Sequence, residues 1–537
     1  MALLDAGKLP QALKKAQLGI KKFPNDSDYQ AIAGFVLTEM KQYRKSIPHF
    51  VEASRMKPDD PQFAENLANA LMQTEQISRA LAYAEKKIEK FPNNRELMRV
   101  IDEIQREGKN WRSIVEFTTH KLTSDPDNPE LLAKRARAYH HMGFVEESTL
   151  DIQRAYDLAP ENTVVAFQKA VNLHQAGDKE GSLKILGDIL EVKPHHPNAL
   201  LQVATMTAKD TVPQFIAAVE DSMAEHDEPL QELEFAKAHL IQKGDDLATA
   251  MPQFKRANAV QHEILPYDFA AEEEKLNEIL RLFPHGLAEL TDVQSDTPVP
   301  IFVVGQPRSG TTLMEMMLSS APDIAGCGEL TLMPELSTRF HTSDKVLDAE
   351  SASGIARYYR EQMPQVPAGS VAFVDKLPHN FQRVGFILAA FPNAKIINML
   401  RDPRDVGLSK WIRRFPAGGM NYASNLEAIA HTANLYRRYM SHWDKVFAGR
   451  ILTMPYEDLV ADPLTHSKRI AEFCDIEWHD SMVQPEKNTK QVRTASIDQV
   501  RNKISTKSIG GWREVADQIK PMLDGFDREL WPEYDFT

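Results

Sequence analysis

Eight consecutive residues, Gly305-Gln-Pro-Arg-Ser-Gly-Thr-Thr312, are dense in groups that bind anions. Arg308 brings a permanent cation with a planar fork of donors, and Ser309, Thr311 and Thr312 bring hydroxyls. The stretch follows an apolar run, Val299-Pro-Ile-Phe-Val-Val304, and precedes a helical pattern from Leu313 to Ser320. Strand, glycine-bounded loop and helix together aim backbone N–H groups at a phosphate. In nucleoside triphosphatases such a loop reads Gly-x-x-x-x-Gly-Lys-Ser/Thr, with the lysine on the outer phosphates and the hydroxyl on magnesium. Here Gly305 and Gly310 keep the spacing, but Thr311 stands in the lysine's place. The loop suits a ligand whose 5′-phosphate is gripped and whose outer group is given away.

A second cluster surrounds Arg401, at the end of the strand-like run Ala394-Lys-Ile-Ile-Asn-Met-Leu400. A helix is expected from about Pro403, with Ser409 roughly one turn inside it. Taken together, the two clusters carry a resemblance. Gln306-Pro-Arg-Ser-Gly-Thr-Thr-Leu313 is similar to the 5′-phosphosulfate loop of sulfotransferases that use 3′-phosphoadenosine 5′-phosphosulfate (PAPS). The nearest group contains the protein-tyrosine sulfotransferases and the bacterial tetratricopeptide-repeat sulfotransferases.

That resemblance implies roles for particular residues. Arg308, Ser309, Gly310, Thr311 and Thr312 would bind the donor's phosphosulfate, and Arg401 with Ser409 its 3′-phosphate. Arg413, Tyr456 and Lys507 would be further donor contacts. The family's general base lies about 21 residues after the loop arginine, where this chain has Glu329 in Gly326-Cys-Gly-Glu-Leu330. Lys376 would steady charge on the leaving phosphate, and Ser496, in Thr494-Ala-Ser-Ile-Asp-Gln-Val500, would touch the transition state from a closing loop. His379 is a second candidate base.

Two positions depart from the family pattern. The animal tyrosine enzymes have paired glutamates where this chain has Gly328-Glu329, and many members carry a basic residue where Gly511 precedes Trp512. Lys503, Lys507 or Arg513 is the expected substitute. Structural alternatives stand beside these roles: Arg401 paired with Asp402 or Asp405, and Glu329 capping the next helix.

The activity implied is sulfuryl transfer from PAPS to an acceptor hydroxyl, with no metal. A protein tyrosine is the leading acceptor, and a saccharide or small-molecule hydroxyl the alternative. An ATP-dependent P-loop kinase and a catalytically silent scaffold are the rival classes.

The elements ahead of this region follow a period. Prolines recur at Pro24, Pro58, Pro92, Pro126, Pro160 and Pro194, a spacing of 34 residues, and the first four are followed directly by Asp or Asn that can cap the next helix. Small residues keep phase at Gly34, Ala68, Ala136 and Ala170, and Gly7, Gly143 and Gly177 mark the tight turns between paired helices. Asp102 breaks the pattern. This is similar to the tetratricopeptide repeat. The expected fold is an α-helical repeat array followed by an α/β P-loop-like sulfotransferase domain with a mainly parallel sheet. The expected divisions are residues 1–225 as repeats, 226–296 as a repeat-like helical connector and 297–537 as the PAPS-dependent domain. The residues before 27 match only the second half of a repeat, so the chain is expected to begin inside one.

Composition sets outer limits. The chain has 537 residues, a formal net charge of −13 and two cysteines. The charge argues against nucleic acid and acidic membrane as partners, because phosphate binding needs clustered Lys and Arg. A peptide or protein held by the repeats is the expected partner class. The N-terminal residues lack a secretory pattern, no apolar run reaches the roughly 20 residues of a membrane span, and a cytoplasmic location is expected.

Overall fold

The computed structural model describes residues 8–40, 42–72, 83–84, 86–88, 90–91, 111–264, 266–285, 298–341, 347–415, 420–488 and 502–536. It separates into two compact units, Met1–Pro126 and Asp127–Thr537.

In the first unit the repeat rhythm sets the helix boundaries. Helices Leu9–Lys22, Ser27–Glu39, Tyr43–Met56 and Pro61–Met72 are interrupted at the turns holding Pro24 and Pro58. Asp26 accepts the Asp28 N–H at 2.9 Å, satisfying one of the donors a helix start leaves open. Gly34 is needed for packing: a Cβ there would lie 2.6 Å from the Phe50 ring. Pro92 and Asp102 lie outside the described residues.

The second unit continues the pattern with Pro129–Met142 and Val145–Leu158, then Thr163–Ala176 and Lys179–Val192. Asn128 and Asn162 cap the first helix of each pair through backbone N–H groups. Gly143 and Gly177 end those helices at φ +92° and +95°, a left-handed turn that glycine adopts without a Cβ penalty. Beyond Pro194 the proline spacing stops but helix pairing does not. Pro197–Met206 faces Val212–Ala224, and Gln231–Gly244 and Leu247–Ile264 flank the turn at Asp245–Asp246. Apolar faces, rather than the proline, sustain the stack here, with Leu233, Phe235, Leu240, Phe254 and Ala257 all buried.

A helix at Phe269–Leu282 leads to the α/β portion. Among the described residues its sheet has five parallel strands: β1 (Val299–Gly305), β2 (Ile324–Gly326), β3 (Ala372–Asp375), β4 (Lys395–Leu400) and β5 (Ile451–Pro455). Their order across the sheet is β2-β3-β1-β4-β5. Ile301, Phe302, Val303 and Val304 are each fully buried, as expected of a central strand covered on both faces.

The helices ahead of the sheet are fastened to the segments that flank it. Asn258 donates to the Trp411 carbonyl at 2.8 Å, and Gln261 to the Phe415 carbonyl at 2.9 Å. Phe283 packs edge-on against Phe386 and Trp443. Among the described residues no helix is long and apolar enough to cross a membrane.

Candidate active site

In a parallel sheet, ligands sit beyond the carboxyl ends of the strands. Every strand of this sheet delivers a candidate residue there. Glu329 lies three residues past β2, Lys376 directly follows β3, and the 306–312 loop follows β1. Arg401 directly follows β4, and Tyr456 directly follows β5. The strand order arranges these groups in a row, with carboxylate and ammonium on one side of the loop and guanidinium and phenol on the other.

The loop is bent by its own sequence. Gly305 and Gly310 have φ of +144° and +101°, and a Cβ at Gly310 would lie 2.5 Å from the Tyr456 ring. Arg308 takes φ +78°, an uncommon conformation for a residue with a Cβ. Thr311 opens the helix Thr311–Leu318, so the backbone N–H groups at its start lie at the loop. Ser309, Thr311 and Thr312 are buried, and Ser309 Oγ has no hydrogen-bond partner among the described residues.

Arginines converge on the β4 side. Arg401 Nη1 donates to the Arg308 carbonyl at 3.0 Å, and its Nη2 donates to the Ser508 carbonyl at 2.6 Å. Its buried Nε has no partner among the described residues. Arg308 Nε donates to Ser409 Oγ at 2.9 Å. Burial, then the charges of Arg413 and Arg401, hold the Arg308 guanidinium well below its ordinary pKa. Cations crowded in this way are stabilised by an anion between them. Arg401 also sits over the Tyr456 ring, 4.6 Å from its centre, and the Tyr456 hydroxyl meets Ser508 Oγ at 2.9 Å.

Arg401 therefore spends its described hydrogen bonds on carbonyls rather than on the neighbouring aspartates. Asp402 pairs with Arg404 at 2.9 Å, and Asp405 accepts the Gly510 and Trp512 N–H groups at 2.7 and 3.1 Å. These bonds fasten the 508–512 segment over the β4 end. Ser409 is engaged by Arg308 instead of Arg401. At Trp512 the nearby cations are Arg404 and Arg513, 4.2 and 4.9 Å from the ring centre, while Lys507 is exposed on the preceding turn. Ser496 lies outside the described residues.

On the β2 side, Lys376 is fully buried and donates to Glu329 Oε1 at 2.5 Å. Its Nζ is also 3.8 Å from Glu315 Oε2, and Glu315 Oε1 accepts the Gly328 N–H at 2.8 Å. Glu315 was not among the sequence candidates. A single charge inside the apolar helix Thr311–Leu318 was the available signal, and its partners lie on other strands. Glu329 is partly exposed and faces a cavity of 590 Å³, whose lining includes Thr312, Glu315 and Lys376. His379 is turned to the Tyr422 hydroxyl at 3.2 Å.

Two buried titratable groups brace this region. Burial pushes the Asp375 carboxyl up to about 7, although it accepts from the Tyr359 hydroxyl at 2.6 Å. Burial lowers the Lys410 ammonium to about 7; it donates to Gln306 in the loop at 2.7 Å. Among the described residues no three His, Cys, Asp or Glu side chains are grouped as metal ligands.

A parallel sheet with a glycine-bounded loop after its central strand follows paired helices of 34-residue period. Residues 300–480 match the model of the sulfotransferase family, and the helical array ahead of them resembles tetratricopeptide-repeat proteins. An uncharacterised protein of Aquifex aeolicus is 26% identical over 566 residues, spanning 99% of this chain and 74% of that protein. A putative protein-tyrosine sulfotransferase of Caenorhabditis briggsae is 26% identical over 250 residues, 42% of this chain and 89% of that one. Among solved structures, the sulfotransferase domain of the Synechococcus PCC 7002 olefin synthase aligns with a TM-score of 0.32 at 21% identity. The alignment covers 46% of this chain and 98% of that domain.

Proposed function

We propose that this protein transfers the sulfuryl group of PAPS to an acceptor hydroxyl. The observation that carries the reading is the row of groups across five strand ends, cations for a doubly phosphorylated nucleotide on one side and a carboxylate–ammonium pair on the other. Ser309 Oγ and Arg401 Nε, both buried and without a hydrogen-bond partner among the described residues, suit a ligand with an anionic group at each end.

In this mechanism the β1 loop and Arg308 hold the 5′-phosphosulfate, and Arg401 with Ser409 receives the 3′-phosphate. Arg413, Tyr456 and Lys507 complete the donor site. Glu329 takes the acceptor's proton as its oxygen forms the new bond to sulfur. The bond from sulfur to the 5′-phosphate oxygen breaks, and adenosine 3′,5′-bisphosphate leaves with the electron pair. Lys376, already beside Glu329, neutralises charge gathering on that leaving oxygen. Catalysis is mainly positioning and fixed electrostatics, as in phosphoryl transfer.

A phenol such as a tyrosine side chain is the leading acceptor, in keeping with the relatives named as protein-tyrosine sulfotransferases, and a saccharide or small-molecule hydroxyl is the alternative. The two cysteines are buried free thiols, which suits a reducing, cytoplasmic compartment. Calorimetry with adenosine 3′,5′-bisphosphate, adenosine 5′-phosphate and magnesium-ATP tests the donor. Tight binding of the bisphosphate alone is expected. Preference for magnesium-ATP would favour a kinase, and no nucleotide binding would favour a scaffold.

A further inference from the structure

The cavity at Glu329 is lined in part by a helical repeat of the second unit. Its lining includes the turn Gly143–Glu147, which joins helices Pro129–Met142 and Val145–Leu158. This turn is packed directly on the strand-end segment that carries the carboxylate. A Cβ at Gly143 would lie 2.9 Å from Leu330 Cδ2 and 3.4 Å from the Cys327 carbonyl. The repeats therefore contribute a wall to the site.

That wall has a definite chemistry. Phe144, Val145, Met316 and Val366 give the cavity an apolar lining, while Glu146 and Glu147 stand exposed beside it. With Glu315 and Glu329, four carboxylates line the cavity among the described residues, against the single ammonium of Lys376. Lys376 is itself taken up by Glu329 and Glu315. The first turn of a helix favours acids, and Glu146 and Glu147 serve that role too. A helix-start dipole of about half a charge leaves the wall anionic.

Resting on the sulfotransferase reading above, we propose that Glu146 and Glu147 select the acceptor: a phenol carrying a nearby cationic group, ammonium or guanidinium, is preferred over one carrying a carboxylate. Like-charge juxtaposition at a partly enclosed site opposes an anionic acceptor, and opposite charge draws a cationic one in. The arginine-rich end of the sheet holds the donor, so the two substrates are sorted by sign along one row of strand ends.

The test uses the full chain saturated with PAPS for turnover, or with adenosine 3′,5′-bisphosphate for binding. The acceptors are tyramine and 3-(4-hydroxyphenyl)propionate, which share a ring and an ethylene chain and differ in the sign of the terminal charge. Tyramine is expected to win by roughly tenfold or more in kcat/KM, with the margin shrinking at high salt. In E146Q/E147Q the ratio should fall towards one while bisphosphate affinity holds, and in E146K/E147K it should invert. A helix-capping role alone would move the thermal midpoint without touching that ratio. Intact bisphosphate binding with an unchanged ratio in the variants, a preference for the propionate, or neither phenol bound or turned over would overturn the acceptor assignment and leave the donor reading standing. Failure to bind the bisphosphate would overturn both.

Discussion

Glu329 and Arg401 stand on opposite sides of the 306–312 loop, so their removal should damage different quantities. Glu329→Gln keeps the size of the side chain and removes the proposed base. Its kcat should fall by about 10²–10⁴-fold while calorimetry finds bisphosphate affinity within a few-fold of wild type. Near-normal turnover would reassign the base. Arg401→Met should weaken adenosine 3′,5′-bisphosphate relative to adenosine 5′-phosphate by roughly 1.5–3 kcal/mol, the range for a charge-assisted hydrogen bond. Equal loss for both nucleotides would mean that Arg401 acts only through its bonds to the Arg308 and Ser508 carbonyls.

At the scale of an element, β3 and the helix Pro403–Trp411 each carry a buried ionisable group beside the site, with opposite pH signatures. Asp375, the last residue of β3, is held by burial at about 7 against an ordinary 3.8. Its contribution to stability is fully present below pH 3.8 and is lost as pH rises through about 7. Denaturant midpoints for Asp375→Asn should therefore improve relative to wild type between pH 5 and pH 8, by on the order of a few kcal/mol. Lys410 is lowered by burial to about 7 from 10.5, so its contribution is present above pH 10.5 and lost as pH falls through about 7. Lys410→Met should gain relative to wild type on going from pH 9 to pH 6. A pH-independent difference in either series would show that the group titrates normally in the fold.

Across the molecule, the second unit links repeat packing to the site. Gly143 and Gly177 end equivalent helices at φ +92° and +95°, yet only Gly143 lines the cavity. Alanine at either position should cost about 1–2 kcal/mol for the left-handed backbone, seen as a lower thermal midpoint. Only Gly143→Ala should also lower kcat, because its Cβ would press on Leu330 and shift the adjacent Glu329. Equal kcat for the two variants would mean that the repeats hold the site without shaping it.

The local parts of this protein were legible from its sequence because they are set by short-range chemistry. Proline every 34 residues interrupts helices wherever it falls, glycine bounds the β1 loop, and β-branched residues mark the buried strand before it. Arg308 stands out from its loop, whereas Glu329, Lys376, Arg401 and Tyr456 are singled out by what the family resemblance implies. Their arrangement in one row was not written there, since strand order depends on which buried faces pair across the sheet. Only tertiary packing engaged Ser409 with Arg308, brought Glu315 to Lys376, and set the Gly143–Glu147 turn against the cavity. These contacts join residues from 61 to more than 180 positions apart, a range over which spacing carries no geometric information.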